Sequence, residues 1–270
     1  MIQRRDSLKY LFFSFVGFST VNIISPAYVS NKKLPKHNQA QLLIQKGQQL
    51  FDNGQAAAAL KVWNEATKIY RQIHYEDGVI GSLINQNFAL QALGLNRRAC
   101  STLLQALKLD REPEICTIQT EQSTESTKKL LTATIHQQTF TPLNLLAWHN
   151  LGDVLRLIGK LNESKLILIN LLLIVENSQP HNNSKILLSL GNTEKSIYQQ
   201  VKDKYKLIEE PAFKKEASEF IHNKALESLK IYQQINNSST FPKEVQLQSQ
   251  LQRLNLLLDF REWLTAEIKS

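Results

Sequence analysis

Apolar and small residues recur at helical spacing through most of the chain, as paired stripes joined by a short turn. Leu43, Gly47 and Leu50 mark a first helix, Gly54 a turn, and Ala59, Trp63 and Ala66 a second helix. Spacing of this kind predicts amphipathic helices, and the small residues stand where two helices cross at close range. A second copy runs through Leu83, Asn87 and Leu90, the turn Leu93-Gly94, then Ala99, Leu103 and Ala106. The clearest pair spans Leu145 to Glu176: Trp148, Leu151, Gly152 and Leu155, the turn Ile158-Gly159, then Ser164, Leu168 and Leu171. A fourth unit opens with Leu187, Leu190 and Gly191. Its second helix is expected only from Phe220 to Ile235, with Ala225, Leu229 and Tyr232 as its stripe, beyond a charged insertion that contains Pro211. From Lys243 to Ile268 the residues Leu247, Leu251, Leu254 and Leu258, then Trp263 and Ala266, begin a further hairpin whose second helix is expected to be incomplete.

Two stretches break the pattern. Between Arg111 and Thr141 the chain turns to Thr, Ser, Gln and Glu; Thr120 to Thr127 reads as an exposed loop, and Leu131 with Ile135 marks a short helix. Met1 to Ala27 reads as an export signal, with a positive start at Arg4, Arg5 and Lys9, an apolar run from Leu11 to Ile24, and small residues at Ser25 and Ala27 for cleavage. Arg4-Arg5-Asp6-Ser7-Leu8-Lys9 is also similar to a twin-arginine signal, with Ser7 where that signal carries Phe. The expected location is periplasmic or extracellular; the alternative is an uncleaved N-terminal membrane anchor.

The residues W-x2-L-G-x2-L, a Gly turn and S-x3-L-x2-L between Trp148 and Leu171 resemble the tetratricopeptide repeat (TPR), as does the set from Leu43 to Ala66. The resemblance implies an all-α TPR-like solenoid of antiparallel helical hairpins, because one such hairpin cannot cover its own apolar face. The expected organisation is a signal peptide over 1–27 and a linker over 28–38, then repeats 1 and 2 over 39–110. A polar loop or short helix over 111–141 precedes repeats 3 to 5 over 142–270, the last incomplete.

Composition narrows the function without naming it. The chain has 270 residues, 42% of them hydrophobic, with 9 Gly and 7 Pro, and no alternating Val/Ile/Thr segments of the kind a sandwich or barrel needs. The longest apolar run of the mature part, Leu166 to Val175, is too short to span a bilayer, so no stable membrane span is expected after signal cleavage. The formal charge is +8, but cations and anions alternate, as in Val201 to Lys230. That mixture reads as a solvated helical face, and nucleic acid is not an expected partner.

Motifs for chemistry are missing. His37, His74, His136, His149, His181 and His222 fall at no metal-ligand spacing, and neither a phosphate-cradling Gly loop nor Gly-x-Ser-x-Gly occurs. The expectation is a non-enzyme with no catalytic residue, no cofactor and no metal. Trp63, Trp148 and Trp263 stand at bulky packing positions of the repeat. Cys100 falls on a predicted helix and Cys116 in a loop, so two unpaired thiols are favoured, with a bridge as the alternative in an oxidising compartment.

In TPR arrays the first helix of each hairpin lines the concave side, and the resemblance implies which residues face it. In repeats 1 and 2 they are Gln41, Ile44, Gln48, Phe51, Gly81, Ile84, Phe88 and Gln91, an uncharged half with Ile44, Phe51, Ile84 and Phe88 as apolar anchors. In repeats 3 and 4 they are Leu146, His149, Asp153, Arg156, Lys185, Leu188, Asn192 and Lys195, a polar half with net positive charge. The expected partner is a protein or peptide with a hydrophobic end and an acidic stretch or carboxylate.

The segments LLIQKGQQLFDNGQAAAALKVWNEA, LGDVLRLIGKLNES and LLSLGNTEKS, in that order, also resemble the N-terminal TPR half of bacterial, especially cyanobacterial, CHAT-domain proteins. There an exported TPR array precedes a caspase-like protease domain. The resemblance implies a regulatory or recognition arm and adds a CHAT-type protease domain as a candidate partner, but it carries no catalytic residue onto this sequence.

Overall fold

The computed structural model describes residues 35–117, 121–175, 180–205 and 210–269. The export signal and residues 28–34 of the linker lie outside the described residues, while Lys36 to Asn38, expected as linker, already belong to the first helix. Ten α-helices follow one another among the described residues, with no strand: α1 (Lys36–Asp52), α2 (Ala56–Gln72), α3 (Glu76–Ala92), α4 (Asn96–Ala106), α5 (Glu121–Gln137), α6 (Pro142–Leu157), α7 (Leu161–Val175), α8 (Pro180–Tyr205), α9 (Pro211–Asn237) and α10 (Lys243–Lys269). All belong to one unit, Pro35–Ser270. The chain is an all-α solenoid in which α1/α2, α3/α4, α6/α7 and α8/α9 are antiparallel hairpins. Their first helices meet in sequence, α3 with α6, α6 with α8 and α8 with α10.

One backbone device closes the ends of five helices. After α1, the Gly54 N–H donates to the Phe51 carbonyl at 2.9 Å and the Gln55 N–H to the Leu50 carbonyl at 2.8 Å, which satisfies carbonyls left open at the helix end. The same pair of bonds recurs at Gly94 after α3 and at Gly159 after α6; these glycines have φ of 76°, 73° and 85°, the left-handed region that a side chain resists. His74 after α2 and Lys108 after α4 adopt it too, with φ of 55° and 59°.

The hairpins are locked by a small residue of the first helix against a large one of the second. Gly47 faces Trp63, Gly152 faces Leu168, and Gly191 faces Tyr232. In the first two pairs the partners lie the same distance apart in sequence. In the fourth hairpin Tyr232 comes 25 residues later than that spacing would put it. The charged insertion is therefore not a loop beside the hairpin: α8 and α9, 26 and 27 residues long, absorb it by outgrowing the other hairpins. Pro180 and Pro211 open these helices at the first-turn position where a missing N–H costs nothing. Lys165 of α7 and Lys224 of α9 both reach the buried Glu194 carboxylate on α8, so an ion network ties α8 between its neighbours.

Three further expectations are corrected. Residues Glu121 to Thr127 are helical, the first part of the 17-residue α5, which lays Leu131 and Ile135 into the core and packs on α7. Lys243 to Lys269 form one continuous 27-residue helix, so Trp263 does not begin a second one. No Gly or Pro interrupts that stretch, and Val245, Ser249, Leu256 and Phe260 form one buried face along it. Cys100 and Cys116 are not two thiols but a disulfide with Cα atoms 5.8 Å apart. The short 3-10 turn Pro113–Cys116 folds the segment after α4 back onto it, and Ile115, fully buried, anchors that return.

Trp63 and Trp148 are core residues as expected, 1% and 0% exposed. One apolar core runs from α3 to α8, a second joins α8, α9 and α10, and two smaller ones fill the first hairpin.

Candidate binding face on the first helices

The face formed by α6, α8 and α10 carries a connected set of polar side chains. Thr141 caps α6 by accepting the Asn144 N–H at 3.1 Å, and Pro142 fixes the first turn, so the helix starts in a defined orientation. Trp148 Nε1 then donates to Gln138 Oε1 at 2.7 Å, which pins the rotation of α6. His149, Asp153 and Arg156 stand on successive turns along another side of that helix, half-buried.

Ser189 of α8 joins two of them. Its Oγ donates to Asp153 Oδ2 at 3.1 Å and lies 2.8 Å from His149 Nε2. The hydroxyl proton is committed to Asp153, so His149 presents Nε2–H and donates to Ser189. A hydrolytic triad needs the reverse: a bare Nε2 facing the serine and the carboxylate on Nδ1. Here Asp153 Oδ2 sits 3.6 Å from the same Nε2, and the three residues form a hydrogen-bonded clamp between α6 and α8. Burial lowers the His149 pKa below its usual 6.5, Asp153 works against this, and Lys185 adds to it. The imidazole is neutral at pH 7.

Further along the face, Asn192 Oδ1 accepts from the Tyr232 hydroxyl at 2.9 Å, and Lys195 Nζ donates to Gln252 Oε1 of α10 at 3.0 Å. Burial pushes the Lys195 ammonium below its ordinary pKa; Asp259 opposes the shift and Arg156 deepens it. Arg156 thus stands close enough to Lys195 and Tyr232 to act on both. Its Nε is buried and has no hydrogen-bond acceptor among the described residues. Buried donors are paired in the great majority of cases, so an unpaired guanidinium N–H beside another cation is an exception that needs an acceptor.

The structure thus brings His149, Asp153, Arg156, Asn192 and Lys195 onto one face, with Lys185 near enough to act on His149. The leading half is different. Ile84 is 2% exposed and packs in the core, so it is not an open anchor, and Leu188 is also buried, in the core of α8, α9 and α10. Ile44, Phe51 and Phe88 are half-buried; Phe51 lies against Trp63 with ring centroids 5.6 Å apart. Gln41 is exposed, Gln48 donates to Asp52 and Gln91 to Asn87, while Gly81 and Leu146 are half-buried. Ser189, Gln252 and Asp259 escaped the sequence reading, and Tyr232 was expected only as a packing residue. Ser189 alone had a visible signal, as the one hydroxyl within the run Ile186-Leu187-Leu188-Ser189-Leu190.

No protein-family model and no curated protein sequence matches the chain. Among solved structures it is similar to a Podosopora anserina protein described as a putative kinesin light chain with nearly identical TPR-like repeats. The TM-score is 0.52 at 13% identity, over 87% of this chain and 92% of that one. A point variant of the same description aligns with a TM-score of 0.32 at 12% identity, over 73% of this chain and 100% of that one. The first likeness shows a TPR-like repeat fold.

Proposed function

We propose that this chain is an exported, non-catalytic scaffold that holds an extended peptide or protein segment along its first helices, with an acidic group of the ligand seated against Arg156. The observation that carries this reading is the buried, unpaired Arg156 Nε beside Lys195. A carboxylate supplies the missing acceptor and neutralises part of the excess charge, and Lys185 and Asn192 extend the donor row. Phe51 and Phe88, half-buried on earlier first helices, offer the apolar end of the same track.

Export is supported by the Arg4-Arg5-Lys9 start, the apolar run after it and the Ser25/Ala27 site. The Cys100–Cys116 disulfide is consistent with an oxidising compartment. No helix among the described residues is long and apolar enough to cross a membrane.

The test is a panel of extended peptides, each made with an acidic stretch, with a free carboxylate or with neither, titrated against the full chain and its Arg156→Ala, Lys185→Ala and Phe88→Ala variants. Peptides carrying the acidic group are expected to bind, and folded Arg156→Ala to lose them. Equal binding by all variants would place the ligand on the second-helix face or the loops.

A second reading rests on the three segments that resemble CHAT-domain proteins: the scaffold serves as the recognition arm of a caspase-like protease domain. It predicts that such a domain is encoded next to this chain and binds it. An adjoining sequence without one removes this reading and leaves the first untouched.

A further inference from the structure

Helix α10 is apolar on two sides. Val245, Ser249, Leu256 and Phe260 face the body and are buried, while Leu247, Leu251, Leu254 and Leu258 form a second stripe that is 64%, 38%, 58% and 61% exposed. Their spacing of four, three and four residues is the alternation of a two-helix seam, in which each leucine enters a hole formed by the facing helix. A contiguous leucine face of this kind on a protein surface marks an interface.

What distinguishes this stripe is its symmetry. Around a point between Gln252 and Arg253, Leu251 mirrors Leu254 and Leu247 mirrors Leu258. Beyond the leucines, exposed Glu244 mirrors exposed Arg261, and exposed Lys243 mirrors exposed Glu262. Gln250 mirrors Asn255, both exposed, while Leu257, 38% exposed beside the stripe, mirrors Gln248 and widens the apolar surface outside the symmetry. An identical helix laid antiparallel over this midpoint meets leucine with leucine and brings Glu244 of each copy to Arg261 of the other, one pair of opposite charges at each end of the stripe. A parallel copy in register would set Glu244 on Glu244 and Arg261 on Arg261. A twofold interface demands a surface complementary to itself, and this one is so along the four leucines and at Glu244 with Arg261.

We infer that α10 is a homodimerisation helix: two copies of this chain pair antiparallel through the Leu247–Leu258 stripe, about a twofold axis between Gln252 and Arg253. This surface lies on the far side of α10 from its contacts with α8 and α9, so the inference stands independently of the peptide-binding reading.

The experiment is sedimentation of the full chain over a concentration series, with four variants whose changes are all on exposed positions. The wild type is expected to pass from monomer to dimer, and Leu254→Gln to stay monomeric with an unchanged melting curve. Glu244→Arg and Arg261→Glu should each raise the dissociation constant by roughly tenfold or more, since each opposes like charges across the axis. The double variant Glu244→Arg/Arg261→Glu restores opposite signs and should recover the wild-type constant. A wild-type chain that stays monomeric to about 100 µM overturns the inference and assigns the stripe to another segment of the chain or to a different protein. So does a dimer that Leu254→Gln leaves intact. If the single charge variants weaken a dimer that the double variant fails to rescue, the antiparallel register is wrong and the inference falls with it.

Discussion

Gly47 of α1 lies directly against the indole of Trp63 on α2, so that a Cβ at position 47 would clash with the ring at Nε1, Cδ1 and Cε2. Trp63 has nowhere to retreat: it is 1% exposed, and its Nε1–H is held by the Ile44 carbonyl at 3.2 Å. The crossing of the first hairpin is thus set by the absence of one side chain. Gly152 plays the same part in the third hairpin, but its Cβ would meet the Leu168 side chain less closely, Cδ2 at 3.0 Å and Cγ at 3.1 Å.

Gly47→Ala is therefore expected to destabilise the chain by about 1–3 kcal/mol, and Gly152→Ala by clearly less, because a leucine terminus yields where an indole does not. Denaturant midpoints of the two variants check this order. Equal midpoints would show that the Trp63 ring can move.

Breaking the Cys100–Cys116 bridge, by reduction or as Cys100→Ser/Cys116→Ser, should cost about 3 kcal/mol, the loop-closure entropy for a separation of this length. The loss should be local first. Proteolysis between α4 and α5 is expected to appear on reduction, while the hairpin α8/α9 stays protected.

His149 makes stability depend on pH in a defined window. Burial depresses its pKa in the folded chain below the 6.5 of the unfolded one, so between these two values the unfolded state binds the proton and the folded state does not. Stability should fall as pH drops from about 7 toward 5, before carboxylates contribute, and level off below the folded pKa. His149→Gln, which keeps a donor for Ser189, should flatten that slope; an unchanged slope would place its origin in another group.

How far the fold could be read from the chain follows from where the packing signal is local. The first three hairpins were legible because Gly47 with Trp63, the pair Asn87 and Leu103, and Gly152 with Leu168 keep one sequence spacing. The fourth kept both partners, Gly191 and Tyr232, but the added residues between them looked like a loop. Polar residues with few apolar positions are compatible with either a long helix or a loop, and only the packing of α7 to α10 decides. Helix α5 was hidden for the same reason, since Ser and Thr fill its early turns. The disulfide depends on a backward turn at Pro113 that no periodicity announces.

The geometry of the candidate face was legible in part. Counting along the first helices put His149, Asp153 and Arg156 on one side of α6, and His149 and Asp153 meet the same Ser189 there. It failed at Ile84 and Leu188, where the actual rotation of α3 and α8 turns those side chains into the core. The partners from other elements, Tyr232 on α9 and Gln252 on α10, were out of reach, since their contacts span 40 and 57 residues.

The central claim, that an acidic ligand group pairs with Arg156, is tested most directly by a double-mutant cycle. Once a peptide from the panel binds, its acidic and amide forms are titrated against the wild-type chain and against Arg156→Ala. Each single change is expected to weaken binding by about 2–5 kcal/mol, as for a desolvated charge pair, and the two together by little more than one alone. Losses that simply add would show that Arg156 and the acidic group do not touch, and would contradict the account.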